Sequence, residues 1–146
     1  NYSIKAKVII EKEFKHKKDK AGVSYLNHLY YVANKVKEAY PHDEELYVIA
    51  LLHDLLEDIE GWNEERLLRY FSLRIVNAVS TLTKKKNEKY KDYIQRVKTN
   101  KDAEKVKIED LKHNMNLSRT NKVTDNDLKR LIKYYSALLD LNGESF

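Results

Sequence analysis

One short run, Ala50-Leu-Leu-His53-Asp54-Leu-Leu-Glu57-Asp58, concentrates the groups of this chain that could do chemistry. A His-Asp pair sits inside an apolar stretch, with a second acidic pair one helical turn later. At about 100° per residue, with His53 as zero, a continuous helix puts Glu57 at about 40°, Asp54 at about 100° and Asp58 at about 140°. The four polar groups then share one side, and Leu51, Leu52, Leu55 and Leu56 are left for packing. An unpartnered polar group in such a setting costs about 1–3 kcal/mol, and an unpaired charge more. A bound cation would supply the missing partner.

Two imidazoles and two carboxylates, from His28, His53, Asp54 and Asp110 on three expected helices, form a nitrogen and oxygen donor set suited to manganese, iron or zinc. The chain has no cysteine, so thiolates play no part, and the residues themselves do not choose among these metals. A divalent ion with open positions lowers the pKa of its water toward about 7 and polarises a phosphoryl oxygen. Glu57 and Asp58 lie close enough in sequence to orient or deprotonate that water and to assist a leaving group. The bland alternative stands beside each residue. A single His on a half-apolar helix is more often a hydrogen-bonded structural group, and His16, His42 and His113 are read that way. Lys84 to Lys86 is either a solvated connector or an attractor of phosphate at a pocket mouth. Tyr25, one turn before His28, is the tyrosine placed to reach the site.

Helices must position these groups, because only three Gly and one Pro punctuate the chain and an all-β design needs many tight turns. A first helix is expected over 3–16, with a turn at Gly22. Ser24 caps a second helix that runs to Tyr40, where Pro41 ends it. A third starts at Asp43 and continues through the central run to about Asp58, until Gly61 breaks it. Asn63 caps a short helix whose core contacts are Leu67, Leu68 and Phe71, and an apolar segment spans Leu73 to Leu82. Helices follow at about Glu88 to Lys98, Asp102 to Ser118, and from Thr124 or Asp125 to before Gly143. In the helix around Asp110, Lys107, Asp110 and Asn114 fall at i, i+3 and i+7, a polar line within roughly 60° of arc that borders a buried surface.

The 146 residues and 42% hydrophobic content fit one domain over 1–146 with a real core. No apolar run approaches the roughly 20 residues of a membrane span, and no signal-peptide pattern opens the chain, so a cytoplasmic protein without membrane contact is expected. The formal charge of +5 arises from 28 basic and 23 acidic residues spread along the chain. It points to an anionic partner. Without a repeated aromatic-basic motif, a small phosphorylated nucleotide suits it better than nucleic acid.

In order along the chain, Lys20-Ala-Gly22-Val-Ser-Tyr25-Leu-Asn-His28, Leu51-Leu-His53-Asp54-Leu-Leu-Glu57-Asp58, Thr83-Lys84, and Lys107-Ile-Glu-Asp110-Leu-Lys-His-Asn114-Met115 resemble the HD-domain metal-dependent phosphohydrolases. The resemblance is closer still to the hydrolase domain of the RelA/SpoT type, which degrades (p)ppGpp, and it spans about His16 to Arg119. It implies an all-α, single-domain HD-type helical bundle in a stand-alone hydrolase. It further implies that His28, His53, Asp54 and Asp110 bind a metal, commonly Mn2+, that Glu57 and Asp58 are the catalytic acidic pair, and that Lys20 and Asn114 contact the nucleotide. The implied reaction is hydrolysis at the 3′-phosphorus of guanosine 3′-polyphosphate with release of pyrophosphate. Several positions depart from the pattern. Asp19 stands where an arginine commonly packs on the guanine base, Ser24 and Leu29 stand where prolines are common, Ser72 replaces a Gly and Lys112 an Arg. Two other readings compete with the hydrolase. One is a catalytically inactive metal- or nucleotide-binding sensor or interaction module, and the other a basic helical protein that binds nucleic acid, with the central polar groups merely structural.

Overall fold

The computed structural model describes residues 1–116 and 122–143, and within these all regular structure is helical apart from one isolated β-bridge between Lys18 and Ser24. In chain order the helices are α1 (Tyr2–Glu13), α2 (Tyr25–Ala39), α3 (Glu44–Leu52), α4 (Leu55–Asp58), α5 (Glu64–Leu68), α6 (Leu73–Thr81), α7 (Tyr90–Val97), α8 (Lys101–Asn114) and α9 (Asp125–Leu141). Their starts follow capping chemistry. The side chains of Ser24, Asp43, Asn63, Ser72 and Asn100 each accept a hydrogen bond from a backbone N–H of the first turn. Thr124 and Asp127 close a capping box at α9. Ser24 and Ser72, two of the departures from the family pattern, thus serve as caps, and Leu29 lies in the core.

α3 is the axis of the bundle. All seven residues from Leu46 to Leu52 are buried, as expected for a helix that is apolar all round, and α1, α2, α6 and α8 pack around it. Arg74 on α6 ties the starts of two neighbours together: its guanidinium donates to Asp43 at 2.7 Å, Asp102 at 2.9 Å and Glu45 at 3.3 Å. α9 closes over α7 and α8.

The third helix does not run unbroken to Asp58. His53 Nδ1 lies 2.6 Å from the Ala50 carbonyl, the acceptor that an unbroken helix would offer to the Asp54 N–H, and a side chain competing for a backbone acceptor opens the turn. Asp54 then takes φ −104°, ψ 1° and leads into the short α4. Other expectations also shift: α1 ends at Glu13 rather than His16, α8 at Asn114 rather than Ser118, itself outside the described residues, and Leu68 is 48% exposed instead of in the core.

Ile49 is fully buried in α3 while Ile4 is 63% exposed. Ile49→Ala should therefore cost about 2–5 kcal/mol of unfolding free energy and Ile4→Ala less than about 0.5 kcal/mol, as read by chemical denaturation.

Candidate active site

α2 supplies His28, the turn between α3 and α4 supplies His53 and Asp54, and α8 supplies Asp110. Their polar atoms converge. His28 Nε2 lies 2.8 Å from Asp110 Oδ1 and 3.9 Å from Asp54 Oδ2, and His53 Nε2 lies 3.2 Å from Asp54 Oδ2 and 3.4 Å from Asp110 Oδ1. One donor atom each from His28, His53 and Asp54 fall within 4.8 Å of one another. The other nitrogen of each ring is held from behind, His53 Nδ1 by the Ala50 carbonyl and His28 Nδ1 by His113 Nδ1 at 2.6 Å. A carbonyl only accepts, so His53 carries a proton on Nδ1 and turns Nε2 toward the carboxylates.

That Nε2 sits at ion-pair distance from both carboxylates but makes no well-aligned hydrogen bond. Among the described residues, the buried side-chain nitrogen and oxygen atoms left without one are His53 Nε2 and the Tyr90 hydroxyl. Both belong to this site. A buried imidazole nitrogen facing two carboxylates without an aligned hydrogen bond is an arrangement a divalent cation would complete in place of a proton, so the donor set fits such an ion.

The charges agree. Burial opposes ionisation of Asp110, but Lys107, His28 and His53 outweigh it and hold the carboxyl well below its ordinary range. Lys107 Nζ donates to Asp110 Oδ2 at 2.9 Å and Asn114 Nδ2 to Oδ1 at 3.1 Å, so the polar line expected on this helix assembles around the carboxylate. Burial likewise opposes the Asp54 carboxylate and His53 beside it compensates, leaving its pKa lowered. Burial disfavours a charged His53, yet Asp54 and Asp110 raise its pKa well above normal: the position favours positive charge. Tyr25 donates its hydroxyl to Asp54 Oδ2 at 2.5 Å, and burial followed by Asp54 pushes that hydroxyl far above the usual phenol range.

In front of this cluster opens a cavity of about 460 Å³. Every remaining site candidate lines it: Glu57, Asp58, Lys20, Tyr25, Lys84 and Asn114. The Lys84 backbone N–H donates to Glu57 Oε1 at 2.9 Å, which ties the basic connector to the acidic pair. Burial, then Asp54 and Glu57, raise Asp58 to about 6, and burial also raises Glu57. Asp19 accepts from the N–H groups of Ala21 and Val23 at 2.9 and 3.0 Å, shaping the loop in which Gly22 adopts φ +81° and which offers Lys20 to the cavity.

Sequence reasoning missed the far wall, where Tyr90, Arg130 and Tyr134 stand. Asp127, Arg130 and Tyr134 repeat on α9 the i, i+3, i+7 spacing that marked Lys107, Asp110 and Asn114, so the signal was present. Lys133, which lies over the Tyr90 and Tyr134 rings, has its pKa lowered by burial, then by Lys107, Arg130, Lys84 and Lys20. The cavity lining thus mixes carboxylates with the cations Lys18, Lys20, Lys84, Lys107 and Arg130.

No protein-family model and no curated protein matches this chain. Among solved structures it is similar to a metazoan ortholog of SpoT that hydrolyzes ppGpp and plays a role in starvation responses, with a TM-score of 0.80 at 20% identity over 99% of this chain and 87% of that one. The chain thus has the all-helical fold of that SpoT ortholog, the HD-type architecture that its motifs led us to expect.

Proposed function

We propose that this chain is a divalent-metal-dependent phosphohydrolase of nucleotide polyphosphates, its preferred reaction being removal of pyrophosphate from the 3′ position of ppGpp. The observation that carries this reading is the convergence of His28, His53, Asp54 and Asp110, with His53 Nε2 facing both carboxylates, beside a cavity that Lys20, Lys84 and Arg130 also line. In this reading residues 1–146 act as a single hydrolase domain in the cytoplasm. His28, His53, Asp54 and Asp110 hold the ion; this mixed nitrogen and oxygen set accepts manganese, iron or zinc, and Mn2+ is the choice that the family resemblance supports. When bound, it supplies a more acidic water and a polarised phosphoryl oxygen.

The chain's own groups do the rest. Lys20, Lys84 and Asn114 bind phosphate oxygens and the nucleotide. Tyr25 holds Asp54 in place through its hydroxyl and borders the substrate. Asp58, with a pKa near neutrality, accepts the proton of the attacking water, and Glu57, also raised, returns one to the leaving oxygen. The water oxygen bonds to the phosphorus on O3′, the P–O3′ bond breaks, and O3′ takes the proton. Pyrophosphate and a nucleotide with a free 3′-hydroxyl result. Asp19, bonded to its own loop, does not supply the base-packing arginine, so Arg130 and Tyr134 on the far wall are the groups left to contact the base.

Purified protein with Mn2+ should release pyrophosphate from ppGpp, and a chelator should stop it. No turnover across a panel of guanine, adenine and pyrimidine polyphosphates with metal demonstrably bound would overturn the catalytic reading, and tight nucleotide binding without turnover would mark a sensor instead. His53→Ala and Asp54→Ala should lose both metal and turnover, whereas Glu57→Gln and Asp58→Asn should lower kcat by about 10²–10⁴ with metal content unchanged in elemental analysis.

The pH profile follows from Asp58. As the base it must be ionised, so kcat/KM should fall below about pH 6, and Asp58→Asn should erase that limb. Its folded pKa lies above the ordinary 3.8 of an aspartate, so ionising it in the folded state opposes stability, and this cost enters as pH rises from about 4 to about 6. Because the side chain is exposed, solvent screening limits the effect. Asp58→Asn should therefore gain up to about 1 kcal/mol at pH 7, a Tm rise of a few degrees in calorimetry, while losing activity.

A further inference from the structure

His113 plays no part in the reaction above, yet it is buried, only 6% exposed, in contact with the site. It lies one turn beyond Asp110 on α8, opposite Tyr31, which lies one turn beyond His28 on α2. Its ring stacks on Tyr31 with centroids 4.0 Å apart and planes 20° from parallel, and it meets His28 nitrogen to nitrogen at 2.6 Å with planes 18° apart. The ring is thereby held in one plane.

The two candidate imidazole ligands differ in what holds them from behind. The Ala50 carbonyl behind His53 only accepts, so the Nδ1–H form of that ring is fixed in advance. The group behind His28 is another imidazole, which can donate or accept. Without a cation, His28 Nε2 faces the ionised Asp110 at 2.8 Å and must donate to it, so His28 Nδ1 accepts and His113 Nδ1 carries the shared proton. With a cation on Nε2, that nitrogen must give up its proton, and the neutral ring needs one on Nδ1. The bond between the two rings must then reverse. His113 becomes the acceptor and carries its own proton on Nε2. Protons balance: each ring holds one before and after.

Building on the metal reading above, we propose that His113 is a positioning residue that sets the tautomer of His28, accepting the His28 Nδ1 proton when the ligand set is loaded. Carboxylates and carbonyls usually fill this supporting role, and losing such a partner commonly costs about 10–100-fold in metal affinity. An imidazole differs from them in also giving His28 a donor when the site is empty.

The test titrates Zn2+, a diamagnetic probe, into the protein by calorimetry and reads ring protonation by ¹⁵N NMR of labelled histidines. His113→Phe keeps a flat ring against Tyr31 but removes the acceptor, and should bind Zn2+ about 10–100-fold more weakly, while His113→Gln, which retains an acceptor oxygen, should recover most of the affinity. A purely structural role would lower the Tm of the Phe variant and leave zinc affinity alone. In the zinc-loaded wild type, His28 should be protonated on Nδ1 and His113 on Nε2. Wild type and His113→Phe binding equally well, or His113 protonated on Nδ1 in the loaded wild type, would overturn this inference alone. A wild-type protein that takes up no zinc, or takes it up equally well as His53→Ala, would overturn the metal reading and this inference with it. The NMR readout needs no variant, so a Phe variant that fails to fold does not remove the test.

Discussion

Two carboxylates, Asp54 and Asp110, are drawn into the interior of a small helical bundle, and the rest of the site answers that cost. Burying an ion without compensation is worth several kcal/mol against folding. Lys107 balances one charge and takes one oxygen of Asp110, Asn114 and His28 take the other, and Tyr25 takes Asp54. With both imidazoles neutral, the cluster of Asp54, Asp110 and Lys107 keeps one net negative charge. Its effect is visible in the raised basicity of His53. A proton on His53 answers that charge when no cation is bound, and a bound cation would answer it in the proton's place.

The same demand explains the placing of α3. A helix buried on every side has no solvent face for polar groups, so its polar residues come at its end, where the regular ladder stops. His53 stops it by engaging the Ala50 carbonyl. One hydrogen bond therefore ends the helix, sets the tautomer of the ring and aims Nε2 at Asp54 and Asp110. Asp54 follows in a conformation outside the helix, and α4 carries Glu57 and Asp58 to the cavity in front.

Lys20, Lys84 and Arg130 line the cavity together with Asp54, Glu57, Asp58 and Asp110, a mixture of charge that would suit a polyanion beside a bound cation. Partial desolvation at the cavity raises the pKa of Asp58 and Glu57, which would suit the acidic pair to proton transfer near neutral pH. Asp19 spends its carboxylate on its own loop. α9 presents Arg130 and Tyr134 to the same cavity.

Much was legible from residue order. Caps at Ser24, Asp43, Asn63 and Thr124, the helical class and the polar line of Lys107, Asp110 and Asn114 are local matters, decided by side chains reaching one or two turns along their own backbone. The break after Leu52 was not legible, because the leucine run is periodic across it and only the His53 contact with Ala50 opens the turn. Nor was His113 distinguishable from an ordinary core histidine, since its meaning lies in a nitrogen of His28, 85 positions away. The sequence by itself determined which helices form and which residue types could hold a cation. Tertiary structure alone decided that α2, α8 and the turn after α3 meet, that α9 walls the cavity, and which nitrogen of each imidazole faces inward, because those follow from long-range packing and from buried charges that must find partners across the fold.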